Sequence, residues 1–191
     1  MKEKDLKDLI WVSKALFDRN KVSGSTANIS FKDKDLIYVS KTGSCFGNMN
    51  EDSFSVLKND KVISDNKPSK EYPMHKLLYD IDDKYKCVIH THSTFITYWS
   101  CILESEDKTI DLKCKTPYLK IKVGDLGWVK YKDPGSQELF DELKKSIDKN
   151  IKAYVMENHG VIVVGESIEE AFYMIEEIEE SAKNAFLLSL K

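Results

Sequence analysis

Cys87-Val88-Ile89-His90-Thr91-His92-Ser93 is the stretch whose reading decides this chain. The run leading into it is apolar and bounded by charged residues, which predicts a buried strand. Residues two apart on a strand project from the same face, so His90 and His92 are expected to point the same way. Two imidazoles side by side on a rigid element form a metal-ligand arrangement, with zinc the first candidate. The alternative is one hydrogen-bonded core histidine and one exposed histidine.

Working outward, the segment Tyr154 to Gly165 consists of two apolar runs that meet at Asn158-His159-Gly160. A polar triad between buried strands is costly unless its groups find partners, which makes His159 the natural third ligand. Upstream, Lys67-Pro68-Ser69-Lys70-Glu71 leads into a helix with Pro73 in its first turn and Met74, Leu77, Leu78 and Ile81 as apolar members. Glu71 just ahead of that helix reads as a capping residue or as a catalytic one. His75, on the same helix, reads as structural or as a support behind a metal ligand.

Two further turns carry hydroxyls and glycine beside a strand: Val22 to Ser30, running into a strand from Ile29 to Phe31, and Lys41-Thr42-Gly43-Ser44 after a strand over Leu36 to Ser40. Each is a plain turn or an anion-binding loop, and two on neighbouring strands can converge on one phosphate, with Lys41 adding charge.

The remaining pattern predicts an amphipathic helix over residues 4–20 with Trp11 and Phe17 in the core. It also predicts a short helical stretch at residues 50–53, a strand over 61–64 and a helix over 94–103. A charged loop over 104–115 precedes an alternating strand over 116–124 that contains Tyr118. A helix over 137–149 and a long helix capped by Ser167 complete the chain.

At 191 residues with 41% apolar content, residues 1–191 suit a single domain with a substantial core. No stretch approaches the ~18 apolar residues of a membrane span, and Met1-Lys2-Glu3-Lys4-Asp5 lacks the apolar core of a signal peptide. A cytoplasmic location is expected. A net charge of −3 with 32% charged residues argues for a solvated surface and against a nucleic-acid or membrane partner. Cys45, Cys87, Cys101 and Cys114 show no C-x-x-C spacing and are expected as free thiols.

Together these clusters resemble the class II aldolase/adducin family. The matching segments, in order, are Ser25-Thr26-Ala27-Asn28-Ile29-Ser30, Ser40-Lys41-Thr42-Gly43, Lys67 to Glu71, His90-Thr91-His92-Ser93 and Asn158-His159-Gly160. The resemblance covers nearly the whole chain. It implies an α/β fold, a three-layer α/β/α domain with a mainly antiparallel central sheet, and a homotetramer with active sites at subunit boundaries. It further implies Zn2+, or another divalent metal, held by His90, His92 and His159. Glu71 would be the catalytic acid/base that also approaches the metal. Ala27, Asn28, Thr42, Gly43, Ser69 and Lys70 would bind the substrate phosphate. Ala27 stands where many members carry glycine, and Lys41 where many carry proline.

Lys70 stands where sugar-phosphate aldolases usually have a second serine after Ser69. With the segments 41–47, 116–118 and 175–182, it gives closer similarity to the 3-oxo-tetronate 4-phosphate decarboxylases. Epimerases of the family carry Asp at the position of Glu71. Tyr118 is similar in position to a tyrosine that aldolases lend to a neighbouring subunit; it also reads simply as an edge-strand aromatic.

The implied activity is zinc-dependent decarboxylation of 3-oxo-tetronate 4-phosphate to dihydroxyacetone phosphate and CO2 through a metal-stabilised enediolate. The alternative is a class II aldolase that cleaves a sugar phosphate such as L-fuculose 1-phosphate to dihydroxyacetone phosphate and an aldehyde. Both are carbon–carbon lyase reactions with a small phosphorylated substrate. A non-catalytic, adducin-like binding module is the reading from another class.

Overall fold

Apolar runs with no polar face, such as those on either side of His159, need cover on both sides. The computed structural model, which describes residues 1–191, provides that cover. One mixed sheet contains β1 (Asn28–Asp33), β2 (Leu36–Ser40), β3 (Phe54–Lys58), β4 (Lys61–Val62), β5 (Cys87–Thr91), β6 (Thr109–Ile110), β7 (Leu126–Val129), β8 (Ala153–Met156) and β9 (Gly160–Gly165). The strand order is β4-β3-β2-β1-β5-β9-β8-β7-β6. Only β7 and β8 pair in parallel; the other neighbours are antiparallel.

The helices are α1 (Glu3–Asp18), α2 (Tyr72–Tyr79), α3 (Thr94–Ile102), α4 (Tyr118–Lys122), α5 (Gln137–Ser146) and α6 (Ile168–Ser189). Strand alternation divides them into two layers. Cys87, Ile89, Val161 and Val163 face a cluster containing Leu9 and Leu16 of α1, Ile96 of α3 and Phe172 and Ile175 of α6. Val88, Ile162 and Val164 face the opposite cluster, with Met74 and Leu78 of α2 and Leu139 and Leu143 of α5. Every residue of β5, β8 and β9 is buried, as their apolar runs require. The α/β fold with helices around one sheet is therefore as the sequence leads one to expect.

Local chemistry sets the helix starts. Ser167 accepts from the Glu170 amide at 3.1 Å, and Ser136 accepts from the Leu139 amide at 3.1 Å. Pro73 lies in the first turn of α2, where its missing N–H costs nothing. No helix is long and apolar enough to cross a membrane, and all four cysteines are free.

Three expectations are corrected. The segment 116–124 is not a strand. Tyr118–Lys122 is a short helix in which Leu119 and Val123, four apart, turn toward the core while Tyr118 and Ile121 face solvent. The strand follows at Leu126–Val129, beyond a Gly124 with φ +94°. Trp11 is 55% exposed rather than in the core, resting edge-on against Phe172 with ring centroids 5.3 Å apart. The strand near Lys61 stops at Val62, and its partner β3 escapes the sequence reading, as does the two-residue β6 inside the charged loop.

Candidate metal centre and anion cavity

β5 sits at the middle of the sheet, flanked by β1 and β9. Its even-numbered residues face the α2 layer, so His90 follows Val88 onto that side at the strand's end. The strand ends at Thr91, and His92 lies one residue beyond it. Its ring still turns back to that of His90, with the two Nε2 atoms 3.0 Å apart. His159 arrives from the β8–β9 turn. The chain passes so close there that a Cβ on Gly160 would lie 2.4 Å from the Thr91 carbonyl oxygen and 2.9 Å from His92 Cδ2. Glycine at position 160 is thus what lets the turn bring His159 against the other two rings.

The three histidines offer one nitrogen each, all within 4.8 Å of one another. Glu71 closes the group: its two carboxylate oxygens lie 3.4 Å from His90 Nε2 and 3.4 Å from His159 Nε2. Glu71 makes no side-chain cap to α2 despite its position at the helix start. Of the two roles its position allows, the side chain has turned away from the capping one.

The electrostatics suit a cation. Burial pushes His90 down to about 3, with the neighbouring His92 ring adding to the effect. Burial likewise pushes His159 down to about 3, assisted by His90 and opposed by Glu71. His92 is lowered by burial too, with Glu71 opposing. All three rings are therefore neutral and have lone pairs to offer.

His90 Nδ1–H donates to the Val161 carbonyl at 2.9 Å, which leaves its Nε2 as the lone-pair nitrogen facing His92. Both ring nitrogens of His159 are buried with no hydrogen-bond partner. An orphaned buried imidazole beside two others and a carboxylate fits a divalent metal, which would take the lone pair of one ring nitrogen.

Beside this cluster lies a cavity of about 210 Å³ lined by Ser25, Ala27, Lys41, Thr42, Gly43, Ser69, Lys70, Glu71, Pro134 and Gly135. Its two loops are tied together by main-chain bonds from Thr42 N–H to Lys67 O (3.0 Å) and Ser69 N–H to Ser40 O (3.1 Å). Gly43 takes φ +78°, which glycine adopts at no steric cost. Two lysines, three hydroxyls and turn backbone make the lining suitable for an anion.

Ala27, Thr42, Gly43, Ser69 and Lys70 line this cavity, but Asn28 does not. Its side chain instead bonds Glu71 Oε2 at 2.9 Å and His75 Nε2 at 2.5 Å. Tyr118 is 57% exposed on α4, and the single chain does not bring it to the histidines. Pro134 and Gly135 escape the sequence reading as cavity residues, since a Pro-Gly pair signals only a turn. A larger cavity of about 610 Å³, formed by residues from Leu103 to Leu126, shares no residue with the site and contains no histidine.

Comparison with known proteins agrees with this geometry. The class II aldolase and adducin N-terminal domain matches residues 7–186. The chain is 35% identical to a 3-oxo-tetronate 4-phosphate decarboxylase of Pectobacterium atrosepticum, over 95% of this chain and 83% of that one. It is 34% identical to an L-fuculose phosphate aldolase of Methanocaldococcus jannaschii, over 96% of each chain. Among solved structures, YgbL from Escherichia coli superposes with a TM-score of 0.88 at 33% identity, covering 95% of this chain and 88% of that one.

Proposed function

The chain belongs to the class II aldolase and adducin N-terminal domain family and is a carbon–carbon lyase; within that family, we propose that it decarboxylates 3-oxo-tetronate 4-phosphate to dihydroxyacetone phosphate. The observation that carries this reading is the cavity with Lys41 and Lys70, which opens on a Glu71 lying 3.4 Å from two of three clustered imidazoles. Such a site suits a substrate with a phosphate at one end and a second anionic group near the reacting carbons. The nearly equal identity to a named aldolase favours one second reading, cleavage of a sugar phosphate such as L-fuculose 1-phosphate to dihydroxyacetone phosphate and an aldehyde.

His90, His92 and His159 would hold the metal, zinc by preference, with Glu71 approaching it. A zinc ion bound there would supply Lewis-acid stabilisation of negative charge on the substrate oxygens. The loops around Thr42, Gly43 and Ser69 bind the phosphate, and this remote binding energy positions the reacting carbons. Lys70 takes the C1 carboxylate. As the C1–C2 bond breaks, CO2 leaves and its bonding electron pair stays on C2, delocalised onto the 3-oxo oxygen. Glu71, protonated from solvent, delivers the proton that forms the new C2–H bond. In the aldolase reading the same residues handle the same electron pair, and only the leaving fragment differs.

This reading treats residues 1–191 as one functional unit located in the cytoplasm. The family habit of homotetramers makes Tyr118, exposed on α4, a residue offered to a neighbouring subunit.

The test is incubation of the purified protein with a panel of acidic and neutral sugar phosphates. Release of CO2 with dihydroxyacetone phosphate supports the decarboxylase, and release of an aldehyde supports the aldolase. Protein that is metal-free as purified and takes up no added zinc points instead to a binding module.

A further inference from the structure

Glu71 is anchored from behind by a buried chain of polar groups whose connection is not visible in the sequence. Asn28 Nδ2 donates to Glu71 Oε2 at 2.9 Å, and Asn28 Oδ1 meets His75 Nε2 at 2.5 Å. His75 Nδ1 meets Ser30 Oγ at 2.7 Å, and Ser30 Oγ meets Tyr79 Oη at 2.7 Å. His75 and Ser30 are fully buried, Tyr79 is 2% exposed and Asn28 is 5% exposed. Two elements build the chain. Asn28 and Ser30, two apart on β1, face the same side, while Glu71, His75 and Tyr79 recur every four residues at the start of and along α2.

The chemistry of one end fixes every proton along it. A carboxylate only accepts, so the Asn28 amide must turn its NH2 toward Glu71 and its oxygen toward His75. That oxygen needs a donor, so His75 carries its proton on Nε2. The Nδ1 lone pair of the neutral ring then accepts from the Ser30 hydroxyl. Ser30, having donated, accepts from Tyr79. The neighbouring Lys86 carbonyl does not depend on Tyr79, because it accepts from the Lys32 amide at 2.8 Å.

His90 has the opposite assignment, with its proton on Nδ1 toward the Val161 carbonyl. The two fully buried histidines on this side of the sheet therefore hold opposite tautomers for different reasons. One frees a lone pair toward the metal cluster, and the other supports the acid beside it.

We propose that His75 is a positioning residue: as its Nε2–H tautomer it locks the Asn28 amide, and through Asn28 it aims the Glu71 carboxylate at the histidine cluster. This assignment also removes Asn28 from the phosphate pocket and places its side chain behind Glu71. The inference deepens the proposed lyase chemistry and rests on it for the role of Glu71, but the tautomer itself stands apart from any substrate.

The first measurement is long-range proton–nitrogen correlation on the as-purified protein labelled with 15N-histidine, with His75 identified by its absence from His75→Gln. The expected result is a neutral His75 protonated on Nε2. A His75 protonated on Nδ1 overturns the proposal, whatever the substrate proves to be.

The second measurement is steady-state kinetics with zinc content. His75→Leu removes the donor to Asn28 and is expected to lower kcat by roughly 10- to 100-fold while leaving KM and zinc content near wild type. In His75→Gln the amide NH2 falls near the place of Nε2 and restores most of that loss. An unchanged kcat in His75→Leu, a Gln variant no better than Leu, or a loss that follows zinc content would each defeat it. Should His75→Leu not fold, Ser30→Ala carries the test: Asn28 Oδ1 still requires a donor, so the spectrum is expected to keep the Nε2–H tautomer. A change to the Nδ1–H tautomer, or a mixture, there counts against the proposal. A wild-type protein that turns over none of the panel removes the lyase reading without touching the tautomer result.

Discussion

His90 and His92 approach Nε2 to Nε2 at 3.0 Å, although His92 lies just past the end of β5. Since the His90 proton is committed to the Val161 carbonyl, its Nε2 presents a lone pair to the other ring. Two neutral nitrogens that close are stabilised by a cation shared between them. One zinc per chain is expected, raising the thermal midpoint of metal-free protein in proportion to the logarithm of free zinc. His159→Ala is expected to weaken zinc binding by more than the roughly 10- to 100-fold that losing an outer-shell partner costs. Isothermal titration with zinc checks this, and wild-type affinity in the variant would remove His159 from the ligand set.

Acid should weaken the metal-free fold through these same rings. His75, His90 and His159 are each pushed from 6.5 down to about 3, chiefly by burial. Between those values the unfolded chain binds protons that the folded chain refuses, so stability rises with pH across the window and is lost as pH falls from 6.5 toward 3. Each ring contributes a slope of up to about 1.4 kcal/mol per pH unit. Carboxylates titrate mostly below ~5, so the interval from ~5 to ~6.5 isolates the histidines. Urea midpoints of zinc-free protein at several pH values check the slope; a flat profile there contradicts neutral buried rings.

The parts of this molecule legible in the sequence are those where polar residues interrupt apolar runs. His90 ends one apolar run and His159 lies between two others, and such a polar group needs a partner wherever the strands finally lie. Glu71 is different. Its place before α2 is legible, but its choice between cap and cluster depends on Asn28 reaching it from β1. The family resemblance likewise marks Asn28 as functional, whereas the direction of its side chain depends on its contacts with Glu71 and His75. The Tyr118 segment misleads because a short stretch satisfies two periodicities at once, and only burial of Leu119 and Val123 decides between them. β3 is obscured by its buried Ser55, whose hydroxyl donates to the Asn66 carbonyl at 2.7 Å, a contact invisible in a local pattern.

Glu179 illustrates the same point and yields a prediction. Though on α6 and 3% exposed, it accepts from the Phe95 amide at 3.0 and 3.1 Å and from the Ile96 amide at 3.0 Å, closing the N-terminus of α3. That terminus begins two residues after His92. Glu179→Ala would leave the buried Ile96 N–H and the part-buried Phe95 N–H without acceptors, at a cost of about 1–3 kcal/mol. Glu179→Gln should lose less, since one amide oxygen still accepts. Urea denaturation of both variants measures the costs, and equal destabilisation would show that packing, not the helix-end bonds, is what the side chain contributes.

Lys70 separates the two lyase readings. It lines the anion cavity beside Glu71, opposite a Gly135 whose absent Cβ would lie 3.7 Å from the lysine Cβ. If its ammonium binds the C1 carboxylate of an oxo acid phosphate, its removal forfeits a charge-assisted hydrogen bond of about 1.5–3 kcal/mol. At about 1.4 kcal/mol per factor of ten, Lys70→Ala should lower kcat/KM for the acidic substrate by roughly 10- to 100-fold. A neutral sugar phosphate has no carboxylate there and should lose much less. Were Lys70 to serve the phosphate alone, both substrates would suffer equally, because both present the same phosphate to the same loops. The ratio of the two kcat/KM losses therefore assigns the lysine: a large ratio places it at the carboxylate, and a ratio near one places it at the phosphate.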